Sequence, residues 1–158
     1  VPGRTGCNLL PQTVAKLSEH ERIVGIKEAS GSMDQVVEIS ALCGEKIDIY
    51  SGEDSLTVPM LSMGAAGCIS VLSNPCPQLA TQITNRFFAG DLEGAAQMQR
   101  RLLPLIRCLF SEVNPIPAKA AMAAMGFCQN YLRLPLTPLE PEHEKTLLCR
   151  LRELGVLE

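Results

Sequence analysis

A chain of 158 residues with 46% hydrophobic content and no tryptophan is long enough to bury a substantial core of its own. Seventeen acidic against 14 Lys and Arg residues give a formal charge of −3, which argues against a nucleic-acid surface or a polybasic membrane anchor and toward a small-molecule partner. No apolar run approaches the roughly 20 residues of a bilayer span, and seven scattered cysteines without a CxxC pair, beside only two histidines, argue against a zinc site and read as reduced, mostly buried thiols of a cytoplasmic protein.

The chain opens at Val1 with no initiating methionine and no signal-peptide pattern, which suggests a sequence whose beginning lies elsewhere. Residues 11–17 carry Val14, Ala15 and Leu17 and predict a helix with Pro11 in its first turn. A β-like burst at 23–26 ends at Lys27, a second at 47–50 ends at Ser51-Gly52, and a third covers 67–71. Between them, residues 33–43 and 55–63 place their apolar side chains on one helical stripe each and read as crossover helices. Asn74-Pro75 opens a further helix that Ala89-Gly90 closes near residue 88. Strand starts at 23, 47 and 67 have the rhythm of β/α units in a parallel sheet, either a barrel or a doubly wound fold. From Asp91 no further burst appears, and residues 91–110, 117–125 and 140–154 read as helices joined by proline-containing turns. The expected division is an α/β part over 1–90 and a helical domain over 91–158.

Lys27 ends an apolar burst and precedes the polar segment Glu28-Ala29-Ser30-Gly31, at the carboxyl end of a strand where parallel β/α sheets place their sites. A lysine held there in an apolar pocket would lose charge by desolvation and present a neutral amine to a carbonyl, which is Schiff-base chemistry. Taken alone, a lysine after a strand is more often a solvated end charge. Arg4 lies in the glycine-rich Val1-Pro2-Gly3-Arg4-Thr5-Gly6 and offers a planar fork suited to a carboxylate, although an isolated arginine is usually a surface residue. In Ser51-Gly52-Glu53-Asp54, Gly52 lets a ligand approach the backbone and Asp54 fits an N-cap, so Glu53 and Asp54 read as capping and solvated groups. Gly64-Ala65-Ala66-Gly67 lacks the spacing of a dinucleotide or phosphate cradle. The methionines read as core, and His20 and His143 as solvent-facing.

These segments, together with Asn114-Pro115-Ile116-Pro117-Ala118-Lys119 and Leu132-Arg133-Leu134-Pro135-Leu136, occur in an order and spacing that resemble the dihydrodipicolinate synthase family over almost the whole chain. The resemblance implies the C-terminal part of a (β/α)8 barrel, about three β/α units, followed by a helical extension. It implies a lyase that condenses pyruvate with aspartate semialdehyde in lysine and diaminopimelate biosynthesis, with no cofactor or metal, in a cytoplasmic homo-oligomer, a tetramer in the intact family. In that setting Lys27 matches the Schiff-base lysine, Arg4 the arginine for the aldehyde's carboxylate, and Gly52 and Ile69 backbone contacts to substrate. The family's proton-relay tyrosine and threonine pair would precede Val1, so the isolated chain is expected to lack efficient turnover. The alternatives are an N-acetylneuraminate lyase-like or keto-deoxy-sugar aldolase of the same superfamily, or a non-catalytic oligomerising remnant.

Overall fold

The computed structural model describes residues 1–158. Its strands are β1 (Gly25–Glu28), β2 (Asp48–Ser51) and β3 (Gly67–Cys68), and its helices are α1 (Pro2–Thr5), α2 (Pro11–Leu17), α3 (Met33–Cys43), α4 (Thr57–Ser62), α5 (Pro77–Phe88), α6 (Leu92–Leu109), α7 (Ile116–Ala124) and α8 (Pro141–Glu153). The strands form one parallel sheet in the order β1-β2-β3, with Lys27 opposite Tyr50 and Tyr50 opposite Gly67.

Each predicted burst became a strand: the first two keep four residues but lie two and one positions later, and the third starts where expected and is shortened. The first begins at Gly25, because Ile23 closes a turn onto the His20 carbonyl and Val24 is exposed. The third stops at Cys68, and pairing continues only through the Ile69 N–H, which donates to the Ser51 carbonyl at 2.7 Å. The helix expected from Asn74 starts at Pro77, after a turn in which Cys76 N–H returns to Leu72. Residues 55–63 divide into a 3-10 turn (Asp54–Leu56) and α4.

The chain groups into two compact units that do not part at Gly90: residues 1–70 with 83–96, and residues 71–82 with 97–158. Parts of α5 and α6 therefore belong with the sheet and parts with the later helices. In the first unit, alternation along the strands sends Ile49 and Ser51 to one face. There Val14, Val36, Ile39, Cys43, Ile47 and Met60 are buried in one apolar cluster with Ile49. Ser32 caps α3 by accepting the Gln35 N–H at 3.3 Å, which satisfies one donor of the first turn.

In the second unit α7 packs on α8, with Ala118, Ala120 and Ala121 buried on one and Leu147 and Leu151 on the other. Small residues let two helices approach closely, and leucines fill the remaining space. The start of α8 is tied by Glu112, whose Oε1 accepts the Glu140 N–H at 3.0 Å and meets His143 Nδ1 at 2.7 Å. His143, expected to be merely solvent-facing, is exposed but paired. The His143 contact first, and the Glu140 N–H second, hold the Glu112 carboxyl below its ordinary range. Because the folded group binds protons more weakly than the unfolded one, its contribution is complete above the ordinary carboxylate range and is lost as pH falls through and below it. Glu112→Gln is expected to remove that part of the acid dependence of stability, checked by urea unfolding of both proteins across the carboxylate range.

The cysteines are all free, yet only Cys43 and Cys76 are buried, while Cys7, Cys128 and Cys149 are exposed. The expectation of mostly buried thiols fails because three of them fall on loops or the outer side of α8. Burial pushes the Cys76 thiol up to about 11. No group of three or more His, Cys, Asp or Glu side chains converges as a metal site, and no helix is long and apolar enough to cross a membrane.

Candidate active site

Directly paired residues of a parallel sheet share a face, and alternation repeats that face every second residue. Gly25 and Lys27 of β1, Asp48, Tyr50 and Gly52 on the second strand's line, and Gly67 and Ile69 on the third therefore look the same way. Lys27 lies near the carboxyl end of β1, Gly52 directly after β2 and Ile69 just after β3. Three of the four expected residues thus come together at one end and on one face of the sheet.

Two features shape that face. Tyr50 lies between glycines on both neighbouring strands: a Cβ at Gly25 would sit 3.4 Å from its Cε2, and one at Gly67 would sit 3.6 Å from its Cδ1 and Cε1. Its hydroxyl donates to Asp48 Oδ2 at 3.3 Å. Beyond the ring, the Lys27 side chain runs across Gly52, where a Cβ would lie 2.6 Å from Lys27 Cε, 2.9 Å from Lys27 Cγ and 2.7 Å from Ala29 Cβ. Gly52 is there for space, since any side chain would occupy the path of the lysine stem.

The apolar pocket expected around Lys27 is not supplied by these residues. Lys27 is exposed, and Ile69 keeps 48% of its surface. The sheet buries its other face, on which Ile49 and Ser51 lie. Ile69 enters the site through its main chain, whose N–H is fixed on the Ser51 carbonyl.

Arg4 is exposed on α1, a single helical turn for which sequence reading proposed no element. Pro2 in the first turn and Gly6 at φ 66° after the last residue were the legible signals for it. Thr5 Oγ1 accepts the Cys7 N–H at 3.2 Å and closes the turn. Arg4 lies on α1, outside the strand ends that bring the other three residues together.

Asp54 corrects another expectation. It is not the N-cap of the following helix; Glu53 holds that position without a side-chain bond, and Asp54 is 4% exposed inside the 3-10 turn. The Cys68 thiol donates to Asp54 Oδ1 at 3.7 Å, and Thr57 Oγ1 lies 3.4 Å from the same sulfur. Burial first, with Asp54 adding to it, pushes Cys68 up to about 11, so it is an inert thiol behind the sheet.

The residues that sequence reading missed lie behind Lys27. Glu28 alternates to the buried face, where it is 4% exposed, and its Oε1 accepts the Ser30 N–H at 2.6 Å while Oε2 accepts from Gln35 Nε2 at 2.8 Å. Gln35 and Asn8 then pair amide to amide, at 2.7 and 3.2 Å. The signal for Glu28 was its place one residue after Lys27 in a period-two strand, which sends it inward.

Comparison with known proteins bears on the whole of this arrangement. The profile of the Dihydrodipicolinate synthetase family matches residues 1–154. The 4-hydroxy-tetrahydrodipicolinate synthase of Geotalea uraniireducens is 48% identical over 157 residues, which are 99% of this chain and 54% of that protein. The crystal structure of dihydrodipicolinate synthase from Thermotoga maritima superposes with a TM-score of 0.96 at 41% identity, covering 99% of this chain and 55% of that one. The chloride-inhibited dihydrodipicolinate synthase from Acinetobacter baumannii complexed with pyruvate gives a TM-score of 0.94 at 35% identity, covering 99% and 54%. The chain spans about half the length of the curated relatives it matches. Its fold is part of a (β/α)8 barrel, three β/α units with helices after them.

Proposed function

The chain belongs to the dihydrodipicolinate synthetase family, and on that premise we propose that it carries the pyruvate-capturing half of a 4-hydroxy-tetrahydrodipicolinate synthase site. The observation that carries the reading is the Lys27 stem laid across Gly52 at the carboxyl end of the sheet. A relative 35% identical is described as complexed with pyruvate, which supports pyruvate as the first substrate.

In this reading the neutral Lys27 amine attacks the keto carbon of pyruvate, the resulting hydroxyl takes a proton from solvent and leaves as water, and a protonated imine forms. The imine withdraws electrons from the adjacent methyl carbon, which gives a proton to water and leaves an enamine. That carbon then bonds to the aldehyde carbon of aspartate semialdehyde, whose carboxylate Arg4 binds with its planar fork. Gly52 and the Ile69 main chain line the approach to the imine. Lys27 is exposed, so pyruvate reaches its amine but the imine stays open to water, and the 158 residues on their own capture pyruvate but turn over poorly. β1 and β3 each pair on one side only, and such edges invite pairing with further strands or with other copies. Homo-oligomerisation is accordingly expected, and light scattering of the purified chain would read it.

The test is trapping with pyruvate and borohydride followed by peptide mass mapping. A reduced pyruvyl adduct concentrated on Lys27, and its loss in Lys27→Ala, are expected. A folded chain in which Lys27 is trapped no faster than exposed surface lysines would leave the non-catalytic remnant as the better reading. Comparing aspartate semialdehyde with sugar-acid aldehydes as the second substrate separates the synthase from the related aldolases.

A further inference from the structure

We infer that Glu28, Gln35 and Asn8 form a positioning relay that sets the strand end carrying Lys27 and the segment carrying Arg4 in one register. The inference rests on the pyruvate-capture reading for its consequence, though not for its geometry.

Glu28 follows Lys27 directly, so whatever fixes the Glu28 side chain fixes the peptide from which the lysine departs. Its two carboxylate oxygens have separate tasks: Oε1 takes the Ser30 N–H at 2.6 Å and shapes the loop after the strand, and Oε2 takes the Gln35 amide at 2.8 Å. A carboxylate this buried is tolerated only with its lone pairs satisfied. Gln35 is in the first turn of α3, held there by the Ser32 cap on its own N–H. Both donors of its side-chain amide are used, with Nε2 serving Glu28 and Asn8, while Oε1 accepts from Asn8 Nδ2 at 2.7 Å. Asn8 lies between α1, which bears Arg4, and α2. One continuous set of hydrogen bonds therefore runs from the residue beside the lysine, through α3, to the stretch of chain that leads back to the arginine. A helix-packing role alone would be met by an apolar residue at 35, as at its buried neighbour Val36. A polar side chain that spends both donors and its carbonyl oxygen on two separate segments fixes direction as well as distance.

The charge can be moved along this relay, and that makes it testable in the 158-residue chain with pyruvate and borohydride as probe. Gln35→Glu sets two buried carboxylates against each other with no donor between them. It is expected to slow adduct formation on Lys27 at saturating pyruvate by about tenfold or more, and to speed amide exchange at Ser30 and along residues 6–10. Trapping at the exposed Lys145 serves as the internal control and stays unchanged. In Glu28→Gln/Gln35→Glu the amide and the carboxylate exchange places: Gln at 28 still accepts from Ser30 and donates to the new carboxylate, which still accepts from Asn8. Both the Lys27 rate and the Ser30 protection are expected to recover. Where Gln35→Glu does not fold, Gln35→Leu removes the same bonds without adding charge and is expected to show the same two losses. A folded variant at position 35 with Lys27 trapping within about twofold of the parent, or a double variant that recovers stability without recovering the Lys27 rate, overturns the relay. Should Lys27 be trapped no faster than Lys145 in the parent, the pyruvate reading fails by itself, and the relay stands or falls on the amide exchange of Ser30 and residues 6–10.

Discussion

Gly52→Val is expected to reduce pyruvate capture at Lys27 by about a hundredfold, because displacement of a reacting group by as little as about 1 Å can have that effect. The first atom added to Gly52 already falls 2.6 Å from Lys27 Cε and 2.7 Å from Ala29 Cβ. These two clashes differ in kind. The lysine terminus can swing aside, which moves the amine from its place at the end of the sheet. The Ala29 Cβ is fixed to the backbone and can yield only if β1 and β2 part where Gly52 N–H meets the Glu28 carbonyl at 2.7 Å. Overpacking of this type destabilises by about 1–3 kcal/mol, so a folded but lower-melting protein with little Lys27 adduct is the expected result. Borohydride trapping beside a thermal melt measures both. An unchanged adduct rate in Gly52→Val would show that the stem of the lysine does not need the path over residue 52.

The second large effect is on stability. Ile39 is fully buried on α3 in the cluster that backs the sheet. Ile39→Ala removes three methyl or methylene groups from a site enclosed by the helix and the strands, and large-to-small changes of this class cost about 2–5 kcal/mol. For a chain of this size that corresponds to a fall in Tm of about 10 °C. Because α3 also carries Gln35, the same variant should loosen Ser30 without touching any group near the substrate. Denaturant unfolding followed by circular dichroism gives the free energy, and a change below about 1 kcal/mol would mean that the cavity collapses onto its neighbours.

The parts legible in the sequence were those with strong periodicity or punctuation. Residues 33–43 show a helical stripe between Ser32 and Gly44, and α3 spans those residues. Pro11 likewise marked α2. Strand ends were less legible because hydrophobicity does not reveal where hydrogen bonding stops: Val24 is as apolar as Ile49, yet one is 73% exposed and the other buried. The division near Gly90 was drawn from a change of element type, whereas compactness follows contacts, and the Ile83 to Ala96 stretch groups with the sheet. Lys27, Gly52 and Ile69 could be picked out individually from motif context, and their shared face follows from register. The support behind them could not be found this way, because Asn8 and Gln35 are 27 residues apart and neither has a distinctive neighbourhood. Asp54 misled for a related reason: an acid before a helix fits a cap, and only the fold shows that Cys68 and Thr57 enclose it.

The glycines on either side of Tyr50 also bear on how this sheet can vary between homologues. One aromatic ring fills a width that three side chains would otherwise share. A first side-chain atom at 67 meets the ring at ordinary contact distance, and only a larger residue there needs a smaller one at 50. At 25 the tight neighbour is the Asp48 carbonyl at 3.1 Å, which no change at 50 relieves. Substitutions at 50 and 67 should accordingly be coupled, a smaller residue at 50 offsetting a large one at 67, while 25 stays restricted by the backbone beside it.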